Sequence, residues 1–217
     1  MAVINDPNVA ANIAGVGEVA QSPVHVVLKP HKSAAGHYRS IARFLLAATQ
    51  AAGSRVWAVR NPHATLLLVP TRLVVRTVQS AAGTAQDNSL DLFKCTSYTV
   101  DETTNIATPG THLKRTSMTA SAAANIRQVT ATGVAAGMTG ATRTPAATAF
   151  AQAPISVMAA VQWEVNTFDL LEDGGKGAHP WVFAQNEGIE IQNRVLNVTS
   201  YGVMVYVDFE WTELTAF

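Results

Sequence analysis

A strict alternation near the C-terminal end constrains the fold of this chain more than any other feature. Over residues 203–211 every second residue is a valine or an aromatic residue, and most of the residues between them are polar. Successive side chains of a β-strand point to opposite faces, so this pattern predicts a strand with one buried face. A helix would need apolar residues at spacings of three and four, which the interleaved Asp208 and Glu210 exclude. The rest of the chain must therefore supply a sheet that covers this apolar face.

Short runs of valine, leucine and aromatic residues recur between positions 55 and 191, and long amphipathic helical patterns are not seen. With the last strand, these runs make about eight strands, the number of a double-sheet jelly roll. The sequence therefore predicts an all-β fold, a jelly-roll-like antiparallel β-sandwich. Residues 38–52 leave a short helix open, because their alternation is imperfect and their second half is rich in alanine.

Three parts of the chain can be told apart by composition. Residues 1–35 have no steady period and form an expected N-terminal arm, and residues 36–217 form the expected sandwich domain. The arm is either a loosely ordered terminus or an extended segment that lies on a neighbouring subunit through residues such as Val24 and Val26. Within the domain, residues 103–154 are dominated by alanine, threonine, serine and glycine. We expect a long loop excursion there, with one strand near residues 126–132 and a role in function or assembly.

The charge content limits the classes of function. The chain has 15 basic and 15 acidic residues, so its formal net charge is zero, and charged residues make up 14% of it. This is about half the usual share, and it argues against an electrostatic nucleic-acid binder. No run approaches the ~20 apolar residues of a membrane span, and the first residues lack a signal-peptide pattern. We therefore expect synthesis in the cytoplasm and no membrane partner.

Residue patterns for catalysis or metal binding are missing from the sequence. The six histidines form no His-x-His or His-Glu-x-x-His pattern, and no Gly-x-Ser-x-Gly elbow occurs. Lys176 lies among glycines, but without the spacing of a phosphate-binding loop. Glu187 and Glu190 flank an expected turn, where we expect them to meet solvent, and the single cysteine, Cys95, is expected to be a small buried residue. The sequence thus predicts no enzyme activity, no cofactor and no metal.

Candidate contact residues are easier to name than catalytic ones. Arg143 lies in a turn-rich part of the excursion, where it either clamps a carboxylate of a neighbouring chain bidentately or is a solvated loop arginine. The outward residues of the last strand form a mixed surface, suited to another subunit or to water: Met204, Tyr206, Asp208 and Glu210. The two acids suggest a device that protects a sheet edge or marks an interface. With Val24 and Val26, these residues are the candidate interface.

Five short motifs follow the apolar N-terminal arm. They are Gly-x-Tyr-Arg at Gly36–Arg39, Arg-Asn-Pro at Arg60–Pro62, Gly-x-x-Arg-Thr at Gly140–Thr144, Glu-Gly-Ile-x-Ile at Glu187–Ile191 and Val-x-Phe-Glu-Trp-x-Glu at Val207–Glu213. This arrangement resembles that of a group of tailed-bacteriophage virion structural proteins. The resemblance covers most of residues 36–217, and the excursion departs from it. It implies a jelly-roll-like sandwich that acts on the capsid surface as a cement or decoration protein and has no catalytic residues.

The resemblance also implies partners. These are the major capsid protein and neighbouring copies of the same chain, in a dimer or trimer, with no nucleic acid and with a final location in the virion. Low charge and a long small-residue segment suit a subunit that lies across its neighbours. The alternative is a receptor- or carbohydrate-binding jelly-roll module of a phage spike, fibre or tail adaptor. That function would require exposed aromatic residues near Trp181 or Tyr201.

Overall fold

Within the residues that the structure describes, all regular secondary structure is β-strand. This computed structural model describes residues 34–109, 113–114, 120–161, 165–171 and 180–215, which form twelve strands. The strands are β1 (Ala34–Leu46), β2 (Ser54–Arg60), β3 (Leu67–Gln79), β4 (Gln86–Val100), β5 (Ile106–Ala107), β6 (Leu113–Lys114), β7 (Asn125–Val129), β8 (Thr142–Pro145), β9 (Ala151–Val157), β10 (Val165–Asp169), β11 (Gly188–Asn193) and β12 (Val203–Leu214). Within these ranges no helix is long and apolar enough to cross a membrane. The predicted all-β class is confirmed.

The strands form two antiparallel sheets, and their order in the sheets is that of a long hairpin folded into two layers. The first sheet has the order β10-β3-β12-β1-β6, and the second has the order β5-β7-β2-β11-β4-β8, with β9 also paired to β4. Strands from the two halves of the chain pair as β1 with β12 and β3 with β10 in the first sheet, and as β2 with β11 and β4 with β9 in the second. This nested pairing across two sheets is the jelly-roll arrangement. The predicted sandwich is confirmed: these eight strands are its framework, and β5–β8 are additions.

β12 supplies the aromatic centre of the core. It lies in the middle of the first sheet and pairs along its length with β1 and β3. Its five inward residues are almost completely buried: Val203, Val205, Val207, Phe209 and Trp211. Phe209 packs edge-on against Trp57 of the second sheet, with ring centroids 5.3 Å apart. Through this contact β12 joins the two layers. Burial of each such side chain stabilises the fold by about 1.5–3 kcal/mol.

β1 settles the choice between helix and strand for residues 38–52. Residues 34–46 are extended and pair with β12 from Ala34–Leu214 to Leu46–Val203. Tyr38, Phe44 and Leu46 point into the core, and Tyr38 stacks on Trp211 at a centroid distance of 5.5 Å. Pairing with β12 and burial of this face override the helix propensity of the alanines that follow, which form the turn to β2.

The small-residue segment 103–154 is in part a sheet. The strand expected near residues 126–132 is present as β7, which pairs with β2 at one edge of the second sheet. β8 pairs with β4 at the opposite edge, and Ala123, Ile126 and Met138 from this segment enter the core. The segment therefore joins both edges of the second sheet, rather than only crossing its surface. The expected arm, with Val24 and Val26, lies outside the described residues except for positions 34 and 35.

Candidate interaction surface on the first sheet

Outward residues of β1, β12 and β3 form three rows across the first sheet, which we call the outer face. The strand registers give the rows Arg39–Glu210–Arg72, Ile41–Asp208–Val74 and Arg43–Tyr206–Arg76. Residues that are paired across antiparallel strands share a face, so the side chains of each row are neighbours. The candidate residues Tyr206, Asp208 and Glu210 therefore lie together, as the alternation in β12 predicts.

The two carboxylates of the outer face are buried under arginines of the same chain. Asp208 is 1% exposed and Glu210 is 5% exposed. Arg39 donates Nε and Nη2 to the two oxygens of Asp208, at 2.7 and 2.5 Å, and this hydrogen bonding raises the pKa of Arg39. Arg72 contacts Asp208 at 3.3 Å and Glu210 at 3.4 Å. The expected edge device is wrong for Asp208 and Glu210, because β12 is a central strand and its acids neutralise the arginines of its neighbours.

The third row has a different chemistry, and we call it the Arg–Tyr–Arg row (Arg43, Tyr206 and Arg76). The exposed Arg43 lies over the Tyr206 ring, with its Cζ 5.8 Å from the ring centroid. Arg76 occupies the matching position on β3, on the other side of Tyr206. Within the part of the chain that the structure describes, neither arginine has a carboxylate at ion-pair distance. The row therefore presents two positive charges that this part of the chain does not neutralise.

Apolar side chains lie around the Arg–Tyr–Arg row. Ile41 is 50% exposed, and Val165 of β10 is 58% exposed on the same face. The candidate residue Met204 lies two residues before Tyr206 on the outward side of β12 and is half-buried. Arginine, tyrosine and methionine are enriched where proteins bind other proteins. The outer face thus has the composition of a contact surface.

Arg143, the other candidate contact, lies on the second sheet and already has a partner. Its Nη2 donates to Oε1 of Glu190 on β11 at 3.0 Å, and its Nε donates to Oε2 of the same carboxylate. Burial opposes the charge of Arg143, but the hydrogen bond and the negative charge of Glu190 outweigh it and raise the pKa of Arg143. The expected bidentate clamp exists within one chain and not toward a neighbour. Glu190 is 0% exposed, so the expectation that it meets solvent is wrong.

Two more arginines of the second sheet bind the two acids that immediately precede the small-residue segment. Arg55 contacts Glu102 at 2.5 Å, and Arg60 forms a bidentate pair with Asp101 at 2.7 and 2.8 Å. Cys95 is buried, as the sequence predicts; it lies beside the Arg143–Glu190 pair, and burial raises the pKa of its thiol. A thiol kept neutral in this way is a poor nucleophile. These groups are spatially close, but they serve packing and ion pairing.

The aromatic residues that a carbohydrate site would use are only partly at the surface. Tyr201 is buried, whereas Trp181 is half-buried and packs edge-on against the exposed Phe150, with centroids 4.2 Å apart. Among the described residues, no three histidine, cysteine or acidic side chains are grouped so that they could hold a metal ion. The Phe150–Trp181 pair is therefore the surface feature that fits the alternative hypothesis of a carbohydrate- or receptor-binding module.

Comparisons with known proteins add no further constraint. No family model, no curated protein and no solved structure matches the chain significantly. The fold, the outer face and the Phe150–Trp181 pair are therefore the basis for a functional proposal.

Proposed function

We propose that the protein is a virion structural protein, a capsid cement or decoration protein that binds the major capsid protein and neighbouring copies of itself. The outer face of the first sheet carries this proposal. It combines exposed apolar residues, Ile41 and Val165, with the two arginines of the Arg–Tyr–Arg row. Such a surface on a preformed antiparallel sheet suits a lasting contact with another protein, because little backbone order is lost on binding.

The motifs that resemble virion structural proteins support the proposal because they meet in space. Arg39 of the first motif pairs with Asp208 of the last. Arg143 of the third motif pairs with Glu190 of the fourth, and the amide of Asn61 in the second donates to the carbonyl of Glu187 in the fourth. Motifs that are far apart in sequence therefore stabilise one jelly roll together, as expected for features of a common fold.

Binding of the full chain to capsid shells that lack it tests the proposal. We expect the protein to co-sediment with shells in a saturable manner and, in electron micrographs, to occupy many sites on the shell. Val165→Glu should weaken binding, since it places a charge on the outer face. Val195→Glu is a matched control at another exposed valine, in the loop after β11, and should bind like the unchanged protein. An absence of saturable binding would contradict the proposal.

The arm prediction can be tested in the same assay. Removal of residues 1–33 leaves β1 complete, because that strand begins at Ala34. We expect the shortened chain to keep its β-sheet circular dichroism and to lose binding to shells. Retained binding would assign the contact to the sandwich alone.

A carbohydrate- or receptor-binding module is the second candidate, favoured by the Phe150–Trp181 pair. Aromatic faces at a surface can stack on sugar rings. A module of this kind would be present in a few copies at a vertex or tail, and not in many copies on the shell. In this case Trp181→Ala should abolish glycan binding by the full chain, whereas Val165→Glu should not affect it. A protein that shows no glycan binding and saturates shells would exclude this candidate.

A further inference from the structure

The Arg–Tyr–Arg row repeats, with one change, the pattern of the row that contains Glu210. In both rows arginines on β1 and β3 flank a residue of the central strand β12. Where the central residue is Glu210, the arginines Arg39 and Arg72 are neutralised by it and by Asp208. Where it is Tyr206, no carboxylate of the described residues takes this place.

The spacing of Arg43 and Arg76 permits both to contact one anion. Neighbouring strands lie about 4.8 Å apart, so the two backbones, separated by β12, are roughly 10 Å apart. The Arg43 guanidinium already lies over the Tyr206 ring, and Arg76 occupies the paired position on the other side of Tyr206. A planar guanidinium binds a carboxylate through two parallel hydrogen bonds, as Arg39 does with Asp208.

We infer that the Arg–Tyr–Arg row is the docking site for a protein partner, which inserts an aspartate or glutamate side chain between Arg43 and Arg76 above Tyr206. The inference rests on the proposed function only in naming the capsid protein as that partner. Ile41 and Val165 lie on the same face and would contact apolar residues around the inserted carboxylate. Buried arginine and tyrosine residues often dominate the binding energy of such contacts.

Charge favours a protein carboxylate over a nucleic acid at this row. Nucleic acid binding requires an extended positive surface, but this chain has no net charge. On the same face Arg39 and Arg72 are already paired with the buried carboxylates of Asp208 and Glu210, so they offer no further positive charge. The exposed Asp169 lies on β10 opposite Val74 and would repel the phosphates that follow along a polyanion. One carboxylate in an otherwise apolar contact meets no such repulsion.

Nuclear magnetic resonance of the full ¹⁵N-labelled chain can test the row without a known partner. The probe is a short capped peptide with one glutamate between two leucines; its glutamine form is the control, and double-stranded DNA is compared at equal charge concentration. We expect the glutamate peptide to shift the Nε–H signals of Arg43 and Arg76, and to leave that of the exposed Arg194 in place. High salt should reverse the shifts. Larger shifts with DNA, or none at the row with any probe, would overturn the inference.

Charge variants connect the row with the proposed function. In the shell assay, Arg43→Glu/Arg76→Glu should weaken binding at least tenfold, Arg43→Lys/Arg76→Lys should bind with intermediate strength, and Arg194→Glu should be unchanged. If Glu variants lose their native thermal transition, Arg43→Gln/Arg76→Gln replaces them. If the unchanged protein and the double Glu variant bind shells equally, the inference fails and the proposed function stands. If the unchanged protein does not bind shells but the glutamate peptide shifts the signals of the row, the proposed function fails and the row has another protein partner.

Discussion

Arg143 of β8 and Glu190 of β11 are 47 residues apart in sequence and form a bidentate ion pair inside the protein. The carboxylate is fully buried, and the arginine side chain is only 9% exposed. Two hydrogen bonds on one carboxylate offset much of the cost of removing both charges from water. The pair therefore fixes the small-residue segment to the framework of the second sheet.

Removal of one charge of this pair should be costly. Glu190→Gln leaves the Arg143 guanidinium buried without a counter-charge, and we expect the free energy of unfolding to fall by about 3–5 kcal/mol. Urea denaturation measures this change. Glu187→Gln is a matched control at a partly exposed carboxylate 3.8 Å from Lys94, and it should cost less than about 1 kcal/mol. Equal effects of the two substitutions would show that the Arg143–Glu190 pair adds no particular stability.

Glu213 at the end of β12 provides a second attachment for the same segment. Its carboxylate accepts hydrogen bonds from the backbone amides of Ala122 and Ala123 and from the Ser121 hydroxyl at 2.5 Å. Glu213→Ala removes this buried acceptor, and we expect the free energy of unfolding to fall by about 2–4 kcal/mol, since three donors, among them the buried amide of Ala123, lose their partner. Hydrogen exchange of the Ala122 and Ala123 amides should become faster, while exchange within β3 should follow global stability only. Unchanged exchange at both alanines would contradict this role.

The sequence predicts what is local to one strand. The alternation over residues 203–211 is sufficient to identify β12 and its buried face, because each side chain's direction follows from its position in the strand. The same alternation correctly places Met204 and Tyr206 on the outer side. It does not say which strands lie beside β12, and these strands supply Arg39 and Arg72. For this reason the burial of Asp208 and Glu210 could not be predicted from their own segment.

Glu190 shows the same limit more clearly. Ile189 and Ile191 predict a buried inner face for β11, and a polar residue between them is normally exposed. Here Arg143, which is distant in sequence, covers the outer side of β11. An alternation of apolar and polar residues within one strand does not show that a distant residue covers its polar face. The signal that was available is Arg143 itself, since an arginine in a small-residue segment was already a candidate for a bidentate carboxylate partner. Only the location of that partner, within the chain, required the structure.

The stability of the protein should be sensitive to the replacement of one side-chain atom at Asn197. Its Oδ1 accepts from Asn88 at 2.8 Å, and its Nδ2 donates to the carbonyl of Ala47 at 2.8 Å. Asn197→Asp places a buried negative charge against that carbonyl, so we expect the free energy of unfolding to fall by about 2–4 kcal/mol. Asn166→Asp makes the same change at an exposed position and should stay within about 0.5 kcal/mol. Similar melting temperatures for the two variants would contradict the importance of this contact.

Ionisation of the buried Tyr201 hydroxyl should make the protein less stable in alkaline solution. Burial raises the pKa of Tyr201 to about 12, whereas an unfolded tyrosine has a pKa near 10. The folded state therefore holds this proton more tightly, so the contribution of Tyr201 to stability is complete below pH ~10 and is lost as the pH rises toward ~12. Two pKa units correspond to at most about 3 kcal/mol. In urea denaturation at several pH values, Tyr201→Phe should reduce the fall in unfolding free energy above pH ~10. The remaining slope belongs to groups such as Tyr98, whose pKa burial also raises. If Tyr201→Phe shows the same slope as the unchanged protein, the Tyr201 hydroxyl titrates in the folded state as it does in the unfolded chain.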